Sequence, residues 1–477
     1  DTLALRAHTR VLAHDSLEGR GTGTRGERLA ADYIAGQLRA LGLHGVAPDG
    51  GYRLPVPLRP ATIDAAATQL VLSRAGEETT FAHGRDFIVN TGGAGAFHDF
   101  AGTLLFAGVP ATAERALADR ADLDGQVIVV LGPLGNEAGT LIPDWIRRGA
   151  EGVVALIPDR ERFDVFVRTR GDVRYFTQAD VADPIWQPDL PILLAGPRLS
   201  AAILQGAPLA PDALDGTRPF HALPLERSVD VTIRVAIEPV EAANIGGLLP
   251  GADSTLRDEV VVFTAHYDHL GIGAADSAGD SIYNGFSDNA AGVAMLLAIA
   301  EALRDDPPAR SVLFLFFTGE ERGLIGSSYY AAAPAVPLER TVAVINLDAG
   351  APPAPPRSWR LAGGQLSSLG ELARDIAAAR GWTAEPGGAS PNSDHWPFLR
   401  RGVPALFIIP GNEWEGVEGA EREALRRRWD RYHRPGDEWS ESFPFAGLQR
   451  YAEYALLVGR AVADAPQRPH MTAGGER

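Results

Sequence analysis

The chain has 477 residues, 45% apolar and 22% charged, with 44 basic against 61 acidic side chains and a formal net charge of -17. This length exceeds one hydrophobic core, and the composition is that of a folded, water-soluble chain. The acidic balance argues against nucleic acid or an anionic membrane as the main partner, and the absence of cysteine excludes disulfides, a thiolate nucleophile and Cys-ligated zinc, leaving His and carboxylates for any metal.

The chain opens at Asp1 and its only methionines are Met295 and Met471, so a removed leader and a secreted or periplasmic location are expected. Glu18 to Gly26 reads EGRGTGTRG, a loop lacking the Walker pattern of phosphate binding. Behind it Leu29, Tyr33, Ile34, Leu38 and Leu41 fall at helical spacing with Gly42 as a stop, predicting a helix over 27–41. Residues 1–90 are taken as the N-terminal part of a catalytic domain. From 91 to 235 the texture changes to short apolar runs between Gly, Pro and Asp, such as Gln126 to Leu131 and Gly152 to Ile157. This predicts an inserted mixed α/β domain with one helix near Leu141 to Arg148.

From 236 to 465 strands alternate with helices. Strands are expected at Glu259–Ala265, Ser311–Thr318, Thr341–Leu347 and Val403–Ile409, and helices at Asn289–Leu303, Leu324–Ala333 and Ser367–Arg380. Nearly continuous apolar strands in βαβ alternation predict an α/β fold with a mostly parallel central sheet and helices on both faces. Residues 466–477 read as a polar tail. No run is apolar over the roughly 18 to 20 residues that a membrane span requires.

Ligands of open α/β sheets gather beyond the carboxyl ends of the strands. There, three apolar runs end in His266, in Glu320-Glu321 and in Asp348, while Asp288 precedes a predicted helix and His433 sits in the run from Arg431 to Asp437. Taken singly, an Asp before a helix is an N-cap and paired Glu residues are favourable at a helix start. Together, His266, Asp288, Glu321, Asp348 and His433 form a donor set suited to two Zn²⁺, with Asp288 able to bridge them. Three carboxylates and one hydroxide balance the charge of two zinc ions, avoiding uncompensated charge in a buried site. Glu320 is left beside a ligand as a candidate general base, and Asp268 as the acceptor of the second His266 ring N–H.

The stretches 265–271 (AHYDHLG), 284–292 (NGFSDNAAG), 319–327 (GEERGLIGS), 346–348 (NLD), 393–398 (SDHWPF) and Tyr432-His433 together resemble the zinc aminopeptidase family with co-catalytic metals, to which glutamate carboxypeptidase is more distantly related. The resemblance implies His266 and Asp348 on one zinc, Glu321 and His433 on the other, Asp288 bridging, Glu320 as general base, Tyr432 steadying the oxyanion, and a cis peptide at Asp288-Asn289. It covers nearly all of the chain except its tail. The insert resembles a protease-associated domain through DLDGQV at 122–127 and RGAEGV at 148–153. Phe286, Ser287 and Ala291 depart from the family's usual residues around the bridging Asp. His269 is read as structural, and His395 as structural or facing the substrate. The expected activity is hydrolysis of N-terminal peptide bonds. A carboxypeptidase, a single-zinc glutaminyl cyclotransferase and a non-catalytic binding ectodomain are the alternatives.

Overall fold

The computed structural model describes residues 2–90, 97–135, 137–169, 173–176, 190–209, 221–388 and 390–472. The chain divides into one unit of residues 1–58 and 240–477 and a second of residues 59–239.

The first unit is built on strands β1 (Arg53–Ile63, up to Leu58), β2 (Val240–Leu249), β3 (Val260–His266), β4 (Ser311–Phe317), β5 (Thr341–Asn346), β6 (Ser358–Ala362), β7 (Thr383–Pro386) and β8 (Ala405–Pro410). Their order is β1-β2-β4-β3-β5-β8-β6-β7. The centre, β4-β3-β5-β8, is parallel, while β1-β2, β2-β4 and β8-β6 are antiparallel. The expected mostly parallel sheet is therefore the middle of a mixed one. Strands β3, β4 and β5 are buried at every residue, which is why they read as unbroken apolar runs rather than alternating ones.

Alternate side chains feed two cores. Val261, Phe263 and Ala265 of β3 join a cluster with the helices Thr2–Leu12, Arg25–Ala40, Ala291–Arg304, Ser368–Ala379 and Ala446–Asp464. Val260 and Val262 face the opposite cluster with Tyr330, Phe398 and Leu399. Phe263 and Phe314 stack at 5.6 Å between neighbouring strands, and each such fully buried side chain contributes about 1.5–3 kcal/mol. The window Phe286–Arg304 amends one expectation, since it has the length and mean hydropathy, 1.3, of a membrane span; 78% of it is buried in the protein, as a core helix requires.

The chain runs from β3 through the Ala291–Arg304 helix to β4 on one side, then crosses to β5 on the other. This reversal opens a crevice at the carboxyl ends of β3, β4 and β5, where His266, Glu320-Glu321 and Asp348 stand.

The second unit has its own eight-stranded sheet, in the order Glu77–Ala82, Gln69–Arg74, Leu223–Thr232, Phe100–Phe106, Gln126–Leu131, Gly152–Leu156, Ile192–Ala195, Phe87–Val89. It begins at residue 59, not 91, because Gln69–Arg74 pairs with Leu223–Thr232 and forms a hairpin with Glu77–Ala82. Residue 91 itself lies outside the described residues. Among the described residues four helices, Pro110–Ala116, Ala138–Arg147, Arg160–Thr169 and Pro197–Leu204, replace the single one expected; several are too short to show periodicity. The tail is also less free than its polarity implies. Ser368 N donates to His470 O (2.9 Å), Thr472 N to Leu366 O (2.8 Å), and Arg468 reaches Glu259 at 2.7 Å. Residues 473–477 lie outside the described residues.

Leu58 and Val240 are directly opposite each other in the β1-β2 register, so the second unit leaves and returns at adjacent backbone positions. Replacing residues 59–239 by a two-residue hairpin turn is therefore expected to leave a first unit that folds cooperatively, since its core side chains come from 1–58 and 240–477. A loss of the cooperative melt would show that the first unit depends on the second.

Candidate metal centre

Each strand end delivers its side chain through a local device. At β3, His266 Nδ1 lies 3.1 Å from the backbone carbonyl of Asp268 and 3.6 Å from its carboxylate. This corrects the expectation that the Asp268 carboxylate receives the ring N–H: the tight turn brings the carbonyl nearer. The carboxylate instead accepts from Thr22 Oγ1 (2.8 Å) and from the backbone N–H of Glu320 (3.1 Å). It thereby ties the β4 loop to β3.

Asp288 sits on the turn before the Ala291–Arg304 helix, two residues later than the helix start expected at Asn289. The Asp437 carboxylate accepts from Ser287 N (3.0 and 3.1 Å) and Asp288 N (3.2 Å). Asn289 bonds Leu347 O at 2.9 Å and caps Gly292 N at 2.8 Å. The Asp288-Asn289 peptide is cis. Asp348 has one oxygen 2.8 Å from His266 Nε2, and the other accepts the Ser393 hydroxyl, which is itself bound by Asn346. His433 enters from the loop after the Gly419–Trp429 helix with φ 56°.

Two groups result. Nε2 of His266 lies 3.1 Å from Asp288 Oδ1, 2.8 Å from Asp348 Oδ1 and 4.0 Å from Glu320 Oε2. Nε2 of His433 lies 3.0 Å from Asp288 Oδ2 and 3.2 Å from Glu321 Oε2. The potential donor atoms of His266, Glu320 and Asp348 fall within 4.8 Å of one another, and so do those of His269, Asp288, Glu321 and His433. The two oxygens of Asp288 face different groups, as a bridging carboxylate must. Electrostatics agree with a site made for cations. Burial, then the neighbouring carboxylates Asp348, Asp394 and Glu321, hold Glu320 well above the ordinary carboxylate range despite His266. Burial alone would lower His433, but Asp288 and Glu321 raise it to about 10. The buried acids outnumber the three histidines and the buried Arg20 that face them, an excess of negative charge that bound cations would compensate, and the oxygen and imidazole donors fit Zn²⁺.

Residues that sequence reasoning missed support these ligands from behind. Ser393 and Asp437 lie in stretches already singled out, but nothing in their spacing marks them as partners of Asp348 and Asp288. Arg20, from the Gly/Arg stretch, is 1% exposed and donates to Tyr267 O (2.8 Å), Asn284 O (2.6 Å) and Gly285 O (2.9 Å). His395 belongs to neither donor group, packs against Phe407 at 5.5 Å and is lowered by burial to about 4. Tyr432 is 63% exposed and stacks on His433 at 3.8 Å. Asp288, Asp348 and Tyr432 all border a cavity of 530 Å³, walled in part by Phe407, Ile409, Trp414 and Trp429.

Residues 244–458 match peptidase family M28, and the match spans every ligand-type residue above. Aminopeptidase YwaD of Bacillus subtilis is 28% identical to the chain over 220 residues, 44% of this chain and 42% of that protein. The probable leucine aminopeptidase 2 of Aspergillus oryzae is 27% identical over 232 residues, with the same coverage of 44% and 42%. The chain thus aligns with less than half the length of these curated relatives. Among solved structures, the aminopeptidase from Aneurinibacillus sp. strain AM-1 superposes with a TM-score of 0.57 at 18% identity, over 99% of this chain and 95% of that one. The zinc aminopeptidase BSAP of Bacillus subtilis gives 0.52 at 19%, over 97% and 94%. These likenesses establish the fold of the chain.

Proposed function

We propose that this M28 chain is a secreted or periplasmic zinc aminopeptidase with two metals per chain, its ions held by His266 and Asp348, by Glu321 and His433, and by Asp288 between them. The observation that carries the reading is the division of Asp288 between two His-carboxylate groups at the edge of the 530 Å³ cavity. Two zinc ions supply Lewis acidity to polarise the scissile carbonyl and to acidify the attacking water.

The chain's own residues do the rest. Glu320, tethered through its backbone N–H to Asp268, takes the proton of the attacking water on its carboxylate and returns it to the leaving amine. The Tyr432 hydroxyl, at the cavity edge, donates to the developing oxyanion. Phe407, Ile409, Trp414 and Trp429 receive an apolar side chain of the N-terminal residue, and the acidic groups attract its α-amine. The 59–239 unit is read as a protease-associated domain bearing on access for longer substrates.

A second reading has one observation in its favour. Two arginines, Arg360 and Arg426, line the cavity. A carboxypeptidase would use such cations. Paired peptides, one with a free and one with an acetylated N-terminus, decide between the two when product masses and zinc content are measured on the same sample. Acetylation is expected to abolish cleavage. Release of the C-terminal residue from the blocked peptide would overturn the aminopeptidase reading.

A further inference from the structure

His269, which the sequence marks only as a structural histidine, occupies a place that packing alone does not require. It is fully buried, and its backbone N–H donates to Arg20 O at 3.1 Å. Its ring lies so close over Gly285 that a Cβ there would approach Cγ and Cδ2 to 2.6 Å, and it stands 5.6 Å from the His433 ring. The ring orientation is therefore fixed from several sides.

Nδ1 of His269 is 2.7 Å from Oε1 of Glu321 and 3.7 Å from Asp288 Oδ2. His269 shares a cluster of close donor atoms with Asp288, Glu321 and His433, but His433 Nε2 meets the other Glu321 oxygen, Oε2, at 3.2 Å, and Asp288 Oδ2 at 3.0 Å. The Glu321 carboxylate is thus split, with Oε2 turned to the metal position and Oε1 to His269. A carboxylate offers only acceptors, so the group at 2.7 Å must be an N–H, which sets the Nδ1-protonated tautomer.

We infer that His269 is a positioning residue for the metal centre: its Nδ1–H holds Glu321 by the outer oxygen, so that the carboxylate presents a single oxygen to the cation. The inference rests on the zinc reading above. It leaves the second position with three protein donors, Asp288, Glu321 and His433, matching the three of the first position if Glu320 stays free as base. Open positions are a mark of catalytic sites, whereas direct ligation by His269 would close the position in the manner of a structural zinc. Hydrogen bonds that orient ligating carboxylates contribute about 10–100-fold in metal affinity.

The test compares the wild-type chain with His269→Asn, whose amide can place an N–H near the position of Nδ1, and His269→Leu, which has none. Zinc is titrated into the metal-free proteins by calorimetry, and the absorption spectrum of the Co²⁺ form is recorded. The wild type and His269→Asn are expected to bind two ions with similar affinities and spectra, while His269→Leu weakens one of the two by about 10–100-fold. Equal loss in both variants with an altered Co²⁺ spectrum of His269→Asn would make His269 a direct ligand and overturn the inference. Wild-type affinities in both variants would reduce it to packing. Should the Leu variant fail to fold, the affinity and spectrum of His269→Asn still separate hydrogen bonding from ligation. A wild-type chain that binds no zinc would instead sink the metal reading itself.

Discussion

Glu320→Gln is expected to lower kcat by at least about a hundredfold, the lower range for loss of a general acid-base group, while zinc content and melting temperature stay near wild type. The amide keeps the shape of the side chain and removes only the ability to accept a proton. Its neighbour provides the contrast. Glu321 lies 3.2 Å from His433 and 2.7 Å from His269, so Glu321→Gln should lose metal before it loses anything else. The assay is single-turnover and steady-state hydrolysis of an aminoacyl substrate, with zinc measured by elemental analysis in each variant. Wild-type turnover in Glu320→Gln would reassign the base.

The second large effect is the pH dependence of the metal-free protein. His433, raised to about 10 by Asp288 and Glu321 against the effect of burial, holds a proton in the folded state that the unfolded chain releases near the ordinary imidazole value of 6.5. Glu27, raised to about 8 by burial and then by Asp268, and Asp394, raised to about 7 by burial, act in the same sense. A raised folded-state pKa contributes stability that is complete below the unfolded value and disappears as pH climbs through the folded one. Asp288 and Glu321 are lowered despite burial, and their contribution changes only in the acid range below the ordinary carboxylate values. Burial lowers His395 to about 4 and also lowers His8, so both change between their folded values and 6.5. Between about pH 7 and 9 the metal-free protein should therefore lose stability as pH rises. Zinc displaces these protons, so the stabilisation that it brings should grow over the same interval. Thermal melts of chelator-stripped and zinc-loaded samples measure both trends. A metal-free melting temperature that rises from pH 7 to 9 would contradict the assignment.

The first unit was legible where burial and chemistry coincide at one residue type. Strands β3, β4 and β5 are buried on both faces, so they stand out as apolar runs, and the ligand-type residues follow directly at their ends. The flanking strands were not visible in the same way. Residues 53–58 carry two prolines, and of them only Val56 and Leu58 are buried, hiding a long strand behind residues usually read as breakers. Support for the site was hidden for another reason. Thr22, Arg20 and Asp437 are far in sequence from the groups they hold, and no local periodicity links a residue to a partner reached only by folding. His269 shows the limit most plainly: its neighbour Asp268 was noticed for its spacing from His266, whereas its own partner, Glu321, lies 52 positions away.

Arg20 also sets an order of assembly during synthesis. Its guanidinium is buried on carbonyls of Tyr267, Asn284 and Gly285, separated from it by 247, 264 and 265 positions. At the usual pace of about 5–20 residues per second, its acceptors emerge on the order of ten seconds or more after it does. In that interval the whole 59–239 stretch, with two core clusters of its own, leaves the ribosome and can collapse, while Arg20 still lacks these three acceptors. The segment around Arg20 thus takes its final place only when it meets segments made much later.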